Sequence, residues 1–287
     1  MSKLTITLSV LIVLGLIGGL YVSYHMIKAQ RQVKHLQTRL AQQNLTIENM
    51  TTHLDKALGK SMVFLHHSVG HGLLTTGALQ DSLLNMGIFV RSATYGDEIG
   101  QQTDINHWLP KFDNDLDRIL SFKAHPNQYF EDDRTNDIIM FKSCFPNSGI
   151  TSDGEGTADP ISSEKTIANY QATFEALIKI FETQPDKLFV YMTSPPLNSG
   201  ATTFDQAARS RKFNDWLVQK ASELPESSNF VVYNLFAFLS DDKGYLKSEY
   251  LLNSSTDSHP NARASQEAVG DFIRFFTPIW EKWNRVP

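Results

Sequence analysis

Two short blocks near opposite ends of the chain carry the residue types that acyl chemistry needs. The first, HHSVGHG at residues 66–72, places Ser68 directly behind a short apolar run, with Gly70 two positions on. A serine at a strand-to-helix turn can present its hydroxyl at the rim of a sheet, where backbone N–H groups and a helix start stabilise an oxyanion. The same serine can equally cap the following helix, a role serine fills very commonly. The second block, STDSHPNA at residues 255–262, holds His259, which can serve as general base for Ser68, and Asp257, which can orient and charge-stabilise the imidazole. Asp, Ser, Pro and Asn also make an ordinary capped turn, and a loop histidine is most often simply solvated. Each block alone admits both readings.

Other reactive residues compete with this pair. His66, His67 and His71 lie close together, and the last two are spaced to share one face of a helix, as metal ligands do. The run contains no acidic residue, so the reading takes no metal and no cofactor, and places His66 and His67 in the pocket or beneath Ser68. Tyr95 is a further pocket residue, whereas Asp97 and Glu98 read more simply as solvated loop charges. Cys144, the single cysteine, ends an apolar strand and reads as a small buried hydrophobe.

Elements that can position the two blocks are visible as apolar runs. MVFLH (62–66), GIFVRS (87–92), DIIMFKS (137–143), KLFVYMTS (187–194) and NFVVYNL (229–235) each predict a strand buried on both faces. Amphipathic stretches around 73–85, 113–122, 163–182, 204–223 and 261–283 separate or follow them. This alternation predicts an α/β fold, a three-layer sandwich with a parallel five-stranded sheet between helices. In such a sheet ligands bind beyond the carboxyl ends of the strands, where the first block falls; the second stands immediately before the last helix. The polar loop at 151–163, after the third strand, is a candidate rim or lid.

Taken together on this strand pattern, the blocks resemble those of the SGNH (GDSL-like) hydrolases over about residues 61–283, and the resemblance implies a flavodoxin-like sandwich. HHSVG stands where that family has its GDS-like block, so Ser68 is the implied nucleophile although the leading Gly-Asp is absent. Gly96 in ATYGDE and Asn147 in FKSCFPNSG are the implied partners of the Ser68 N–H in an oxyanion hole, and the family's GxND is missing around the latter. The closing DxxH is shortened here to Asp257-Ser258-His259. The implied activity is hydrolysis of a small acyl ester, on a carbohydrate or a lipid-like molecule. Transfer of the acyl group to a sugar hydroxyl, or a non-enzymatic glycan- or protein-binding module, would use the same scaffold.

Composition and the first sixty residues set the context. The chain has 287 residues and a formal net charge of -5 with both signs interspersed, which offers no basic face for nucleic acid. Residues 4–27 lack any Asp, Glu, Lys or Arg and are long enough for a bilayer core of about 30 Å, so residues 1–27 are expected to be a retained membrane anchor. Residues 28–59 are expected to be a helical stalk, with Val33, Leu36, Leu40, Ile47, Met50 and Leu54 in an a/d seam and Gln43 as its polar member. That seam fits a homo-oligomer, or a helix lying on its own domain or on the membrane. The hydrolase domain then spans 60–287. Lys28, Arg31, Lys34 and Arg39 follow the apolar run and by the positive-inside rule favour a cytoplasmic domain, whereas work on envelope esters favours the outer side. The expectation follows the second argument.

Overall fold

Successive side chains on a strand point to opposite faces, so five runs apolar at every position must be covered on both sides. The computed structural model describes residues 25–46, 59–252 and 256–284. The chain divides into two compact units, Met1–Ala57 and Leu58–Pro287.

In the first unit, residues 25–46 form helix α1. Met26, Val33, Leu36 and Leu40 fall at a/d spacing on it and are all more than half exposed. The expected anchor at residues 4–27 lies almost wholly outside the described residues, as do Ile47, Met50 and Leu54 of the seam. Among the described residues no helix is long and apolar enough to cross a membrane.

In the second unit the strands are β1 (Lys60–Leu65), β2 (Ile88–Ala93), β3 (Phe122–Ala124), β4 (Gln128–Tyr129), β5 (Ile138–Lys142), β6 (Leu188–Met192) and β7 (Phe230–Tyr233). Five of them form one sheet in the order β2-β1-β5-β6-β7, with every neighbouring pair parallel. Each expected apolar run contributes one of these strands. The short antiparallel β3-β4 hairpin was not expected, because two- and three-residue strands show no alternation to read.

The two faces are sorted residue by residue. Val63, Leu65, Ile139, Phe141, Phe189 and Tyr191 join one core cluster, and Met62, Phe64, Ile138, Met140, Leu188 and Val190 join the other. The first cluster is closed by α4 (Ile105–Asn114), α5 (Leu116–Leu120), α6 (Ile167–Phe181) and α7 (Phe204–Ser222). The second is closed by α2 (Ser68–Leu74), α3 (Leu79–Asn85), α8 (Leu235–Leu239) and α9 (Ala262–Trp283). The result is the expected three-layer α/β/α sandwich.

Helix ends differ from expectation where backbone geometry overrides periodicity. The helix expected over 73–85 is two helices, split at a turn where Ala78 takes a left-handed φ of 57°. There Gly77 packs so closely that a Cβ would come 2.6 Å from the Leu73 carbonyl and 2.8 Å from that of Ser265. The stretch expected over 113–122 is likewise α4 followed by α5, and α4 starts earlier because Ile105, Trp108 and Phe112 form its buried stripe. The later helices begin at side-chain caps: Thr166 for α6, a Thr203-Gln206 capping box for α7, and Asn261 for α9.

Candidate active site

β1 ends at Leu65, and the next three residues turn the chain into α2. His66 is fully buried, its Nδ1 2.9 Å from the His67 carbonyl and its Nε2 2.8 Å from Ser92 Oγ. The carbonyl can only accept, so Nδ1 donates and Nε2 accepts from the serine. Burial pushes this imidazole down to about 4, keeping it neutral beneath the turn. His67, not Ser68, occupies the cap position of α2, and Ser68 is the first helical residue. The capping alternative for Ser68 is thereby replaced: its hydroxyl points elsewhere.

It points at the last block. Ser68 Oγ lies 2.9 Å from His259 Nε2, and His259 Nδ1 lies 2.7 Å from Asp257 Oδ1. The same Oδ1 accepts the His259 backbone N–H at 2.9 Å. That second bond explains how an acid two positions ahead of the histidine reaches the ring. A carboxylate that accepts the amide two residues on folds the chain into a tight Asx turn and brings its oxygen beside the side chain of that residue. The two N–H donors of His259 hold the Asp257 carboxyl below the usual carboxylate range, so it stays ionised and fixes the ring proton on Nδ1. Nε2 is left to accept from Ser68. The three residues form a Ser-His-Asp triad.

No protein-family model matches the chain, and no curated protein matches it. Among solved structures it is similar to a provisionally named acylhydrolase from Bacteroides fragilis, at 15% identity and a TM-score of 0.46, over 78% of this chain and 88% of that one. It is also similar to a GDSL-like lipase from Bacteroides thetaiotaomicron, at 12% identity and a TM-score of 0.44, over 75% of this chain and 86% of that one. A third, provisionally described as a lipolytic protein of the G-D-S-L family from Desulfitobacterium hafniense, has 13% identity and a TM-score of 0.43 over 75% and 98% of the two chains.

The triad opens into a cavity of about 420 Å³ lined by His67, Ser68, Tyr95, Gln102, Thr103, Asp104, Cys144, Phe145, Pro146 and His259. Both pocket residues expected from sequence are there. Tyr95, 56% exposed, stacks on His67 with ring centroids 3.9 Å apart. Burial lowers the His67 pKa, and its nitrogens are engaged by the Gly100 carbonyl at 2.8 Å and Thr103 Oγ1 at 3.1 Å. Phe145 meets the His259 ring edge-on, centroids 4.9 Å apart. No lysine or arginine is among the lining residues.

Two expected oxyanion donors, Asn147 and Gly96, are not among the residues lining the cavity. Asn147 is 2% exposed, and its amide N–H groups are donated to Asp104 Oδ1 at 2.7 Å and the Cys144 carbonyl at 3.1 Å, while its Oδ1 accepts the Ile105 N–H at 2.9 Å. It ties the start of α4 to the turn after β5 and has no hydrogen left for a substrate. Gly96 takes a φ of 94° and faces His125, and it is not among the lining residues. Its turn is organised by Asp97, which is fully buried and accepts the Thr94 and Asn127 N–H groups at 3.0 Å each, while Glu98 pairs with Arg118. Asp97 is therefore a buried organiser of the loop and not a solvated charge, whereas Glu98 is an exposed charge paired with Arg118 at the surface. The 151–163 loop lines a separate polar hollow with Thr166 and Asn169 and is not a rim of the triad cavity.

Three residues at the site had no signal in the sequence. Asn198, beyond the PP of β6's exit, donates its backbone N–H to Ser258 Oγ at 3.0 Å and its side-chain amide to the Asp257 carbonyl at 2.8 Å, pinning the turn that carries the acid. Lys111 and Gln102 shape the wall opposite. An asparagine in a loop and a lysine on a helix are ordinary surface residues until their neighbours are known, and only the glycine at 100 hinted that backbone is packed closely here.

Proposed function

We propose that this chain is a serine ester hydrolase of the SGNH type, acting on a small acyl ester. The observation that carries the reading is the continuous chain from Ser68 Oγ through both nitrogens of His259 to Asp257, assembled from residues 191 positions apart in sequence. Ser68 Oγ attacks the ester carbonyl as His259 Nε2 takes its proton, and Asp257 stabilises the imidazolium that forms. His259 then delivers the proton to the departing alcohol, leaving acyl-Ser68. A water, deprotonated by the same Nε2, releases the acid and restores the serine. The Ser68 N–H, at the start of α2, is one donor for the oxyanion.

The cavity's lining favours a neutral polyol as the alcohol portion, with O-acetyl groups on a glycan as the class. Tyr95 offers an exposed aromatic face, Gln102, Thr103 and Asp104 offer hydrogen-bonding groups, and no lining cation is present to pair with a carboxylated or phosphorylated substrate. Turnover of p-nitrophenyl acetate and butyrate by the full chain tests the reaction class. Hydrolysis of the acetate is expected, and a purified, folded chain inert to both esters and to acetylated oligosaccharides would overturn the reading.

The domain is tethered, in this reading, by a membrane helix over residues 4–27 on the outer side of the membrane, and paired with further copies through the α1 seam. The apolar run supports the tether, and the exposure of Met26, Val33, Leu36 and Leu40 supports the pairing. A phosphatase reporter fused after residue 59 should be active, as only an exported fusion is; an inactive, stably expressed fusion would reverse the orientation.

A further inference from the structure

The Gln102 side of the cavity is held by a device that the triad does not use. Lys111, 8% exposed on α4, donates from Nζ to the Ile99 carbonyl at 2.6 Å and to the Gln101 carbonyl at 2.5 Å. His67 Nε2 takes the carbonyl between them, that of Gly100, at 2.8 Å. Three successive carbonyls are thus taken up by buried or half-buried donors. Burial pushes the Lys111 ammonium down to about 8, a cost that bonding to two carbonyls offsets.

Peptide planarity gives the consequence. In a trans peptide the C=O and the following N–H point in opposite directions. The N–H groups of Gly100 and Gln101 are already donated to the Asp97 carbonyl, at 3.0 and 3.1 Å. The next, that of Gln102, shares its plane with the carbonyl bonded to Lys111 and meets no acceptor among the described residues. Gln102 lines the triad cavity with a left-handed φ of 51°, an uncommon conformation for a residue with a side chain. Gly100 is required by the same packing, since a Cβ there would lie 2.2 Å from the Thr94 carbonyl.

We infer that Lys111 is a positioning residue for the reaction, turning the Gln101-Gln102 peptide so that the Gln102 backbone N–H serves as the second oxyanion donor beside that of Ser68. This rests on the ester-hydrolase reading and supplies the donor that Gly96 and Asn147 do not. A donor of this kind acts on the tetrahedral state and not on the bound ester.

The test is steady-state hydrolysis of p-nitrophenyl acetate, with inhibition by phenylboronic acid, which forms a tetrahedral adduct on a reactive serine. Lys111→Met keeps the stem and removes the donors, and Gln102→Val, at an exposed position, disfavours the left-handed backbone without touching the core. Both should lower kcat on the order of 10- to 100-fold with KM within about twofold, and weaken boronate inhibition by a similar factor. If Lys111→Met does not fold, Gln102→Val decides alone. Unchanged kcat and boronate inhibition in a folded variant, or a rise in KM that accounts for the whole loss, would overturn the inference while leaving the hydrolase reading in place. A wild-type chain without esterase activity would remove both.

Discussion

Ser68→Ala and His259→Ala are each expected to lower kcat for p-nitrophenyl acetate by about 10⁴-fold or more, with the fold intact, and the double variant is expected to be no worse than either single one. The non-additivity is the informative part. In the proposed reaction Ser68 Oγ and His259 Nε2, 2.9 Å apart, act as one proton-transfer unit, so removing either would disable the other. Asp257→Asn is expected to cost somewhat less, about 10³- to 10⁴-fold, with KM nearly unchanged. An amide in place of the carboxylate can present an N–H to Nδ1, which moves the ring proton to Nε2, where it blocks removal of the serine proton. Steady-state kinetics on the four variants, with thermal unfolding as a control, checks the set. Additive losses in the double variant, or an Asp257→Asn protein with native kcat, would contradict the assigned roles.

Gly70→Ala should be strongly destabilising, because it adds a methyl group directly beneath the site. A Cβ at Gly70 would lie 2.3 Å from His66 Cβ and 2.6 Å from its Cγ. His66 cannot move away, since it is fully buried and both of its ring nitrogens are bonded. The expected loss is about 3 kcal/mol or more, which for a domain of this size lowers Tm by roughly 6–12 °C. Activity should fall with it, because Gly70 lies in the first turn of α2 and any shift there moves Ser68 against His259. Gly72→Ala is the internal comparison. Its Cβ would meet only Ser265 Oγ, at 3.5 Å, an ordinary contact, and alanine is favoured over glycine within a helix. Differential scanning calorimetry should therefore separate the two alanines by several degrees, and equal Tm values would show that His66 yields where it is expected to hold.

The sheet could be read in advance because its strands are apolar at every position, a pattern that only double burial explains. Ser68 is legible because it directly follows an apolar run, at the end of a strand where ligands bind, and His259 because it stands in a polar block immediately before the last helix. Asp257 was harder, since its spacing suits a turn as well as a catalytic acid, and the outcome rests on one bifurcated carboxylate oxygen. The oxyanion side is not legible in the sequence for a physical reason. A backbone N–H has no residue type, so its position follows from where the neighbouring carbonyls go, and that is set by Lys111 and His67 through contacts across separate loops. Asn147 has the chemistry of an oxyanion donor, but its hydrogens close a turn instead. The splits between α2 and α3 and between α4 and α5 were hidden similarly, by single backbone torsions within otherwise helical periodicity.

A Ser68 nucleophile activated by His259 should react with a fluorophosphonate, and mapping of the modified peptide by mass spectrometry shows where the label sits. One label per chain is expected, on Ser68, slowed by excess p-nitrophenyl acetate and lost in His259→Ala. A chain that hydrolyses esters yet carries the label on Cys144 or another residue, or that labels Ser68 equally well without His259, would contradict it.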